Sequence, residues 1–353
     1  MVNLAIIGTG LRANGHARAF SALKNCTIVA CCDIDKPKAK AFAAEWNIPR
    51  YYNDIDELLT ANQLDAAAIV TSDNSHCYLA IKCLEAGKHV LCEKPLASNE
   101  DQARKMVDAA DKSGVINQIA FSYRRSGALY QAKQLVDSGE LGAIRHVEGS
   151  YLQAWLSLYE AQSFDENFPF GLWRISKALS SGTLGDIGVH LLDFCTFPVG
   201  PVTSVNCILQ SFEKTPGNEV GGIKLDANDS AILSVKFANG AIGTLHTTRW
   251  AYGHRNSIKL SIWGTKGALR IDLDKDYDSL EFCNTVQGGP LDWKSPFNWE
   301  AQTCRKVPDE FERFIQSIES GENLTPDFRR GAEIQGLIAG CFESAERGEW
   351  IHV

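Results

Sequence analysis

The chain has 353 residues, of which 44% are apolar and 22% charged, and carries a formal net charge of -8. This is ordinary globular composition with material for two cores, which excludes a disordered chain or a coiled-coil rod and makes two domains the expected organisation. The acidic balance without clustered Lys and Arg excludes a nucleic-acid backbone as partner, and no apolar run approaches the length of a membrane span. The eleven cysteines include no CxxC pair; with no basic-then-apolar leader at the start of the chain, reduced thiols and a cytoplasmic location are expected.

Through the first third, short apolar runs alternate with amphipathic stretches, the pattern of a parallel sheet with crossover helices. Residues 2–8 read as the first strand, followed by a helix over 14–24, a strand over 27–33 and a helix after Lys36, where Pro37 suits a first helical turn. Strands over 66–70 and 88–92 flank a helix over 75–86 that stops at Gly87, and 115–121 ends this half. Beyond about Tyr123, β-rich segments dominate at 145–153, 204–210, 231–237, 242–248, 258–263 and 268–273. Asn239-Gly240 between two of them predicts a two-residue hairpin turn with both residues at positive φ. Helices over 308–320 and 329–347 close the chain. The expected fold class is α/β: a Rossmann doubly wound parallel sheet over residues 1–122, then an α+β domain over 123–353 with a large, mostly antiparallel open sheet.

Gly8-Thr9-Gly10-Leu11-Arg12-Ala13 links the first strand to the first helix. A pyrophosphate needs a tight turn, close backbone approach and a helix N-terminus aimed at its charge; Gly8 and Gly10 supply the first two, and Ala13 stands where a third glycine often does. Alone, such glycines also mark ordinary turns. Asp33, closing the second strand at the spacing of a ribose contact, turns the reading toward NAD, because a carboxylate accepts from ribose hydroxyls and repels the extra phosphate of NADP. Lys36 and Lys38 keep NADP admissible.

Five further segments follow in order: Thr71-Ser72-Asp73-Asn74-Ser75-His76, Cys92-Glu93-Lys94-Pro95-Leu96-Ala97, Tyr123-Arg124-Arg125, Trp173-Arg174 and Gly185-Asp186-Ile187-Gly188-Val189-His190-Leu191-Leu192-Asp193. With them the chain resembles, over nearly its whole length, the Gfo/Idh/MocA family, which includes inositol dehydrogenases and glucose-fructose oxidoreductase. It departs from the family where Pro and Asn usually stand and this chain has Ser72 and Asp73. The resemblance implies Lys94, Asp186 and His190 as catalytic residues. It implies cofactor contacts by Gly8, Thr9, Gly10, Leu11, Arg12, Asp33, Ile34, Thr71, Ser72, Asn74, His76, Glu93 and Lys94. Substrate contacts fall to Lys94, Tyr123, Arg124, Trp173, Arg174, Asp186 and His190. The implied reaction is reversible, NAD(P)-dependent oxidation of a secondary hydroxyl on a sugar, sugar derivative or cyclitol to a ketone, by a homodimer or homotetramer packed through the second sheet. Two alternatives stay open. One is redox-assisted glycoside cleavage, toward which Arg12 points; the other is a non-catalytic NAD(P)-binding regulator, against which Lys94 and His190 argue.

The chemistry has its own logic. Oxidising an alcohol by hydride transfer requires a base for the hydroxyl proton, for which histidine is suited, and a Lys94 ammonium stabilises developing alkoxide charge. Asp186, four residues before His190, shares a face with it if the segment is helical and either orients the imidazole or binds a hydroxyl. Singly, a Lys before Pro reads as a solvated strand end and an Asp–His pair as a helix start; the joint order reverses this. Asp186, His190 and Asp193 lack a further ligand at metal spacing, so no metal is expected. Trp155, Tyr159 and Trp173 are candidates for stacking on a sugar ring, against the commoner role of buried aromatics. His76 reads as a ligand contact or a helix cap.

Overall fold

A computed structural model describes residues 1–60, 63–159, 171–284 and 297–353. The first half contains β1 (Val2–Ile7), α1 (Leu11–Ala22), β2 (Cys26–Cys32), α2 (Lys36–Glu45), β3 (Tyr51–Tyr52), α3 (Ile55–Thr60), β4 (Ala66–Ile69), α4 (Asp73–Glu85), β5 (His89–Cys92), α5 (Glu100–Ser113) and β6 (Asn117–Ile119). The six strands form a parallel sheet in the order β3-β2-β1-β4-β5-β6. The order reverses between β1 and β4, which opens a crevice at the strands' carboxyl ends where such sheets take their ligands. All four residues of β4 are buried, as a strand covered by helices on both faces requires. Helix α1 starts at Leu11, directly on the glycine loop and three residues earlier than the apolar pattern predicts, because Gly10 takes the N-cap position. Helix α5, which the apolar runs do not reveal, is capped by Asn99 and ended by a left-handed Gly114. Only Ala103, Met106 and Ala110 of its residues are buried, so its apolar signal is thin.

The second half contains α6 (Gly127–Asp137), β7 (Ile144–Leu152), α7 (Trp155–Tyr159), α8 (Val189–Val199), β8 (Val202–Gln210), β9 (Glu219–Val220), β10 (Ile223–Lys224), β11 (Ser230–Phe237), β12 (Ile242–Thr248), β13 (Ser257–Gly264), β14 (Ala268–Asp272), β15 (Ser279–Cys283) and β16 (Glu300–Thr303). Helices α9 (Glu310–Ser320) and α10 (Phe328–Arg347) and strand β17 (Ile351–His352) follow. Nine strands pair in the order β16-β15-β14-β13-β7-β12-β11-β8-β17. All neighbours are antiparallel except β7 and β12. Burial alternates along β11, with Ala231, Leu233, Val235 and Phe237 inward, the signature of a sheet covered on one face. Helix α8 lies against β7, where a side chain at Gly149 would come within 2.3 Å of Cys195 Sγ.

The turn between β11 and β12 differs from expectation. Only Gly240 has positive φ, at 85°. Gly240 N donates to Phe237 O at 3.0 Å and Phe237 N to Ala241 O at 2.9 Å, so the loop has three residues and ends in a left-handed glycine. Asn239 serves by its side chain instead, accepting from Ala241 N and donating to Val199 O, both at 3.0 Å.

Two compact units result, Met1–Ser122 with Pro308–Gly336 and Tyr123–Val307 with Leu337–Val353. The segment 308–336, read from sequence as part of the second domain, therefore packs with the first. Phe314 and Ile315 of α9 join the core built on Leu4, Ile6 and Phe20, Phe311 meets Phe20 edge-on at 5.1 Å, and Gln118 donates to Ser317 Oγ and Leu324 O, both at 2.8 Å. An amphipathic helix shows in sequence that it has an apolar face, not which sheet that face covers.

Candidate active site

The ends of the parallel strands carry the nucleotide-side residues. Gly8 has φ of 92°, and a Cβ there would sit 2.8 Å from the carbonyl of Val70 and from Thr71 Cγ2, so no side chain fits where the loop passes the end of β4. At Gly10 a Cβ would meet nothing within 4 Å, and no side chain caps α1. The start of α1 is thus uncapped by any side chain and open at Gly10, the arrangement that receives a pyrophosphate. Asp33 sits one strand over. Its Oδ2 accepts from Thr9 N and Thr9 Oγ1, each at 2.8 Å, and its Oδ1 from Asp35 N at 3.0 Å. Partial burial pushes its carboxyl up, but the hydrogen bonds from Asp35 and Thr9 prevail and hold it below the usual range. Thr9 thus orients Asp33. Leu11 and Ile34 stand 89% and 95% exposed, apolar surface of the kind a flat base covers. These residues fit a dinucleotide.

Glu93 is a buried hub at the end of β5. Its Oε1 accepts from Arg12 Nε at 2.8 Å and faces His16 Nε2 at 2.9 Å, while Oε2 accepts from Lys94 N at 3.1 Å. Burial pushes the carboxyl up, yet the His16 hydrogen bond and the Arg12 charge outweigh it and hold Glu93 well below the usual range. The hub ties α1 to β5 and fixes the backbone from which Lys94 projects, ahead of a cis Lys94–Pro95 bond. His76 is buried within α4, its Nδ1 at 2.9 Å from Pro95 O and its Nε2 at 3.1 Å from Thr71 O. It bridges the segments after β4 and β5, which is neither of the roles read from sequence. Ser72 takes the N-cap position of α4, but its hydroxyl donates to Asn74 Oδ1 at 2.7 Å.

In the second unit, Leu184–Gly188 forms a π-helical turn leading into α8. Asp186 and His190 therefore straddle a junction of two helix types, and a shared face does not follow from their spacing. Asp186 Oδ2 meets Arg249 Nη2 in a hydrogen-bonded ion pair and Arg174 Nε at 3.6 Å. Arg249, just beyond β12, is fully buried; its guanidinium lies 4.6 Å over the Trp155 ring and its Nη1 donates to Arg174 O at 3.3 Å. Burial pushes the Arg249 pKa down against the pull of Asp186, and a guanidinium stays charged regardless. The Tyr123 ring meets the His190 ring edge-on at 5.1 Å, with Tyr151 at 6.5 Å. The two phenol oxygens lie 2.6 Å apart; Tyr151 donates to Asn256 Oδ1 at 2.5 Å and Asn256 Nδ2 donates to Tyr123 at 2.8 Å. Burial raises both phenols, Tyr123 to about 12 and Tyr151 further, so both are neutral near pH 7.

The sequence-read residues thus gather in two clusters: Arg12, Thr71, His76, Glu93 and Lys94 in the first unit, and Tyr123, Arg174, Asp186 and His190 in the second. Arg124 does not join. It is buried, bonded to both oxygens of Asp193 at 2.7 Å and stacked 3.5 Å over Phe197, so its guanidinium braces α8 rather than meeting substrate. Trp155 is buried and donates to Gln153 Oε1 at 2.9 Å, which removes it as a sugar platform. Trp173 is 46% exposed, with Arg174 over its ring at 4.3 Å, and the Tyr159 side chain lies outside the described residues. Among the described residues no group of three or more His, Cys, Asp or Glu is placed to hold a metal ion. Sequence reading missed Arg249, Tyr151, Asn256 and His16. The first three lie far along the chain from their partners with no local motif. His16 had a signal: it lies four residues after Arg12, on the same face once the helix starts at Leu11.

Comparison with known proteins converges on the same picture. Residues 2–121 match a family model described as an oxidoreductase family with an NAD-binding Rossmann fold, and residues 129–270 match the GFO/IDH/MocA C-terminal domain. The chain is 27% identical to a levoglucosan dehydrogenase of Pseudarthrobacter phenanthrenivorans, covering 100% of this chain and 98% of the relative. It is also 27% identical to a D-glucoside 3-dehydrogenase of Escherichia coli, covering 98% and 96%. A solved levoglucosan dehydrogenase in complex with NADH and levoglucosan superposes with a TM-score of 0.86 at 26% identity, over 100% of this chain and 99% of that one. With both halves matched in order, the chain belongs to the Gfo/Idh/MocA family of oxidoreductases.

Proposed function

We propose that this chain is an NAD-dependent dehydrogenase that oxidises a secondary hydroxyl of a sugar, sugar derivative or cyclitol to a ketone. The observation that carries the reading is His190 packed edge-on against the ring of Tyr123, whose hydroxyl is paired with that of Tyr151, in a chain matched end to end by sugar dehydrogenases. NAD, when bound, supplies the nicotinamide that accepts the hydride. Gly10 and the first turn of α1 hold its pyrophosphate and Asp33 its ribose hydroxyls. His190 takes the hydroxyl proton, and Lys94 donates a hydrogen bond to the oxygen as negative charge develops on it. Asp186, held by Arg249 and Arg174, accepts a hydrogen bond from a neighbouring substrate hydroxyl. Arg12, which pointed to glycoside cleavage, is paired with Glu93, so nothing favours that reading. Turnover is checked by NADH absorbance with levoglucosan, methyl glucosides and inositols: Lys94→Ala and His190→Asn each lower kcat at least about 100-fold with NAD affinity retained. Near-normal turnover in both variants rejects the assignment.

Two finer points belong to the same reading. Ile208 and Ile232 are exposed and paired across β8 and β11, and we assign this sheet face to a homodimer or homotetramer, which light scattering of Ile232→Lys against the parent tests. All eleven cysteines are free thiols, in keeping with a cytoplasmic location.

A further inference from the structure

We propose that Asn256 is a positioning residue that fixes the proton direction of the hydroxyls of Tyr123 and Tyr151, whose rings flank His190. This wall then accepts a hydrogen bond from a substrate hydroxyl and donates none. The inference rests on the reading of His190 as the substrate side, and deepens it by naming the kind of group recognised.

The donors and acceptors close a ring. Asn256 Nδ2 is a donor only and gives to Tyr123 at 2.8 Å, while Oδ1 is an acceptor only and takes from Tyr151 at 2.5 Å. Each phenol has one proton. With that of Tyr151 engaged by Asn256, the 2.6 Å contact between the hydroxyls is donated by Tyr123. No proton is left for a ligand, whereas each phenol oxygen keeps a second lone pair.

The amide orientation that sets this direction is fixed from outside the ring. Trp155 Nε1 is a donor only and gives to Gln153 Oε1 at 2.9 Å. Gln153 must therefore turn its Nε2 to Asn256, whose Oδ1 accepts it at 2.8 Å. A flipped Asn256 would set two donors against each other. The geometry comes from β7 and β13, which pair with Leu152 opposite Ser257 and so bring Tyr151 and Gln153 beside the residue preceding β13. Asn256 is itself exposed, so replacing it leaves the core intact. A free secondary hydroxyl satisfies this wall; an ether, a ketone or a C–F group does not.

The test is steady-state kinetics with NAD on levoglucosan, methyl β-D-glucopyranoside and myo-inositol, and on the monodeoxyfluoro forms of whichever turns over. The parent enzyme should lose about tenfold in kcat/KM to fluorine at one ring position, the scale of one hydrogen bond. Asn256→Ala should raise KM for the natural polyol about tenfold with kcat within about twofold. Because Tyr151 then has a proton to give, the penalty at that one position should disappear. An unchanged KM and fluorine pattern overturns the proposal, as does a pattern altered equally at every position, which marks general damage. If no sugar reduces NAD, the functional reading fails by itself. The ring is then read by calorimetric binding of the same three compounds to NADH-loaded parent and Asn256→Ala: about tenfold weaker binding in the variant supports it, and equal binding overturns it.

Discussion

Glu93 in the first unit and Asp186 in the second are both carboxylates gripped by basic side chains, but burial is shared out in opposite senses. Glu93 is buried and the Arg12 side chain that meets it is 58% exposed; Arg249 is fully buried and the Asp186 side chain is 26% exposed. A buried carboxylate held from outside acts as scaffold, here for the Lys94 backbone and the start of α1. An outward carboxylate held from within keeps an exposed face, which suits the ligand contact proposed for Asp186. Removing the two cations should separate these roles. Arg249→Met, which removes the buried guanidinium together with its bonds to Asp186 and Arg174 O and its stack on Trp155, should lower the unfolding free energy by about 2–3 kcal/mol and kcat/KM at least tenfold. Arg12→Met should cost less, on the order of 1 kcal/mol, because solvent screens a guanidinium that is 58% exposed and His16 still meets the buried carboxylate. Urea unfolding of both variants decides; a larger loss in Arg12→Met would break the comparison.

The same contrast explains how much was legible in the sequence. The first unit works through backbone and near neighbours: the glycine loop, Asp33 at the end of β2, and Glu93 next to Lys94 are short motifs on one crossover unit, and their types and spacing state the chemistry. In the second unit, Asp186, His190 and Arg174 became candidates because they stand in short motifs. The groups around them had no such mark. Arg249 comes from beyond β12, Tyr151 from β7 and Asn256 from before β13, joined only by the register of a nine-stranded sheet. Register is set by the whole sheet and leaves no mark beside the residues it brings together. Even Asp186 and His190, read as helical neighbours, are separated by a π-helical turn that no propensity announces.

Within the first unit, Gly8 and Gly10 sharpen the distinction between scaffold and ligand at the level of single methyl groups. Gly8→Ala puts a side chain at positive φ against the Val70 carbonyl and should cost about 2 kcal/mol of stability. Gly10→Ala has an ordinary φ of -74° and open space around its Cβ, so stability should change by less than about 0.5 kcal/mol. On the proposed reading its methyl group instead enters the pyrophosphate's volume, and NAD affinity should fall at least tenfold by calorimetry. A Gly10→Ala variant that binds NAD normally would show that the open space is not the cofactor's.

Titration of α9 tests whether buried carboxylates in the first unit are alike. Glu310, the first residue of α9, is buried, and that burial, with the neighbouring charges of Asp309 and Glu93, raises its carboxyl pKa. Its sign is therefore opposite to that of Glu93. A raised carboxyl pKa means that the fold opposes ionisation: the penalty is fully present above the folded value and fades as pH falls toward the unfolded value of about 4.3. The stabilisation from Glu93 is complete above that unfolded value and is lost only as pH falls through its depressed folded value. Glu310→Gln should therefore raise stability at pH 8 by on the order of 1 kcal/mol, with the gain shrinking toward zero near pH 4. Glu93→Gln should lose stability throughout the neutral range. A Glu310→Gln gain that stays constant from pH 8 to pH 4 would assign the effect to packing and remove the charge argument for that position.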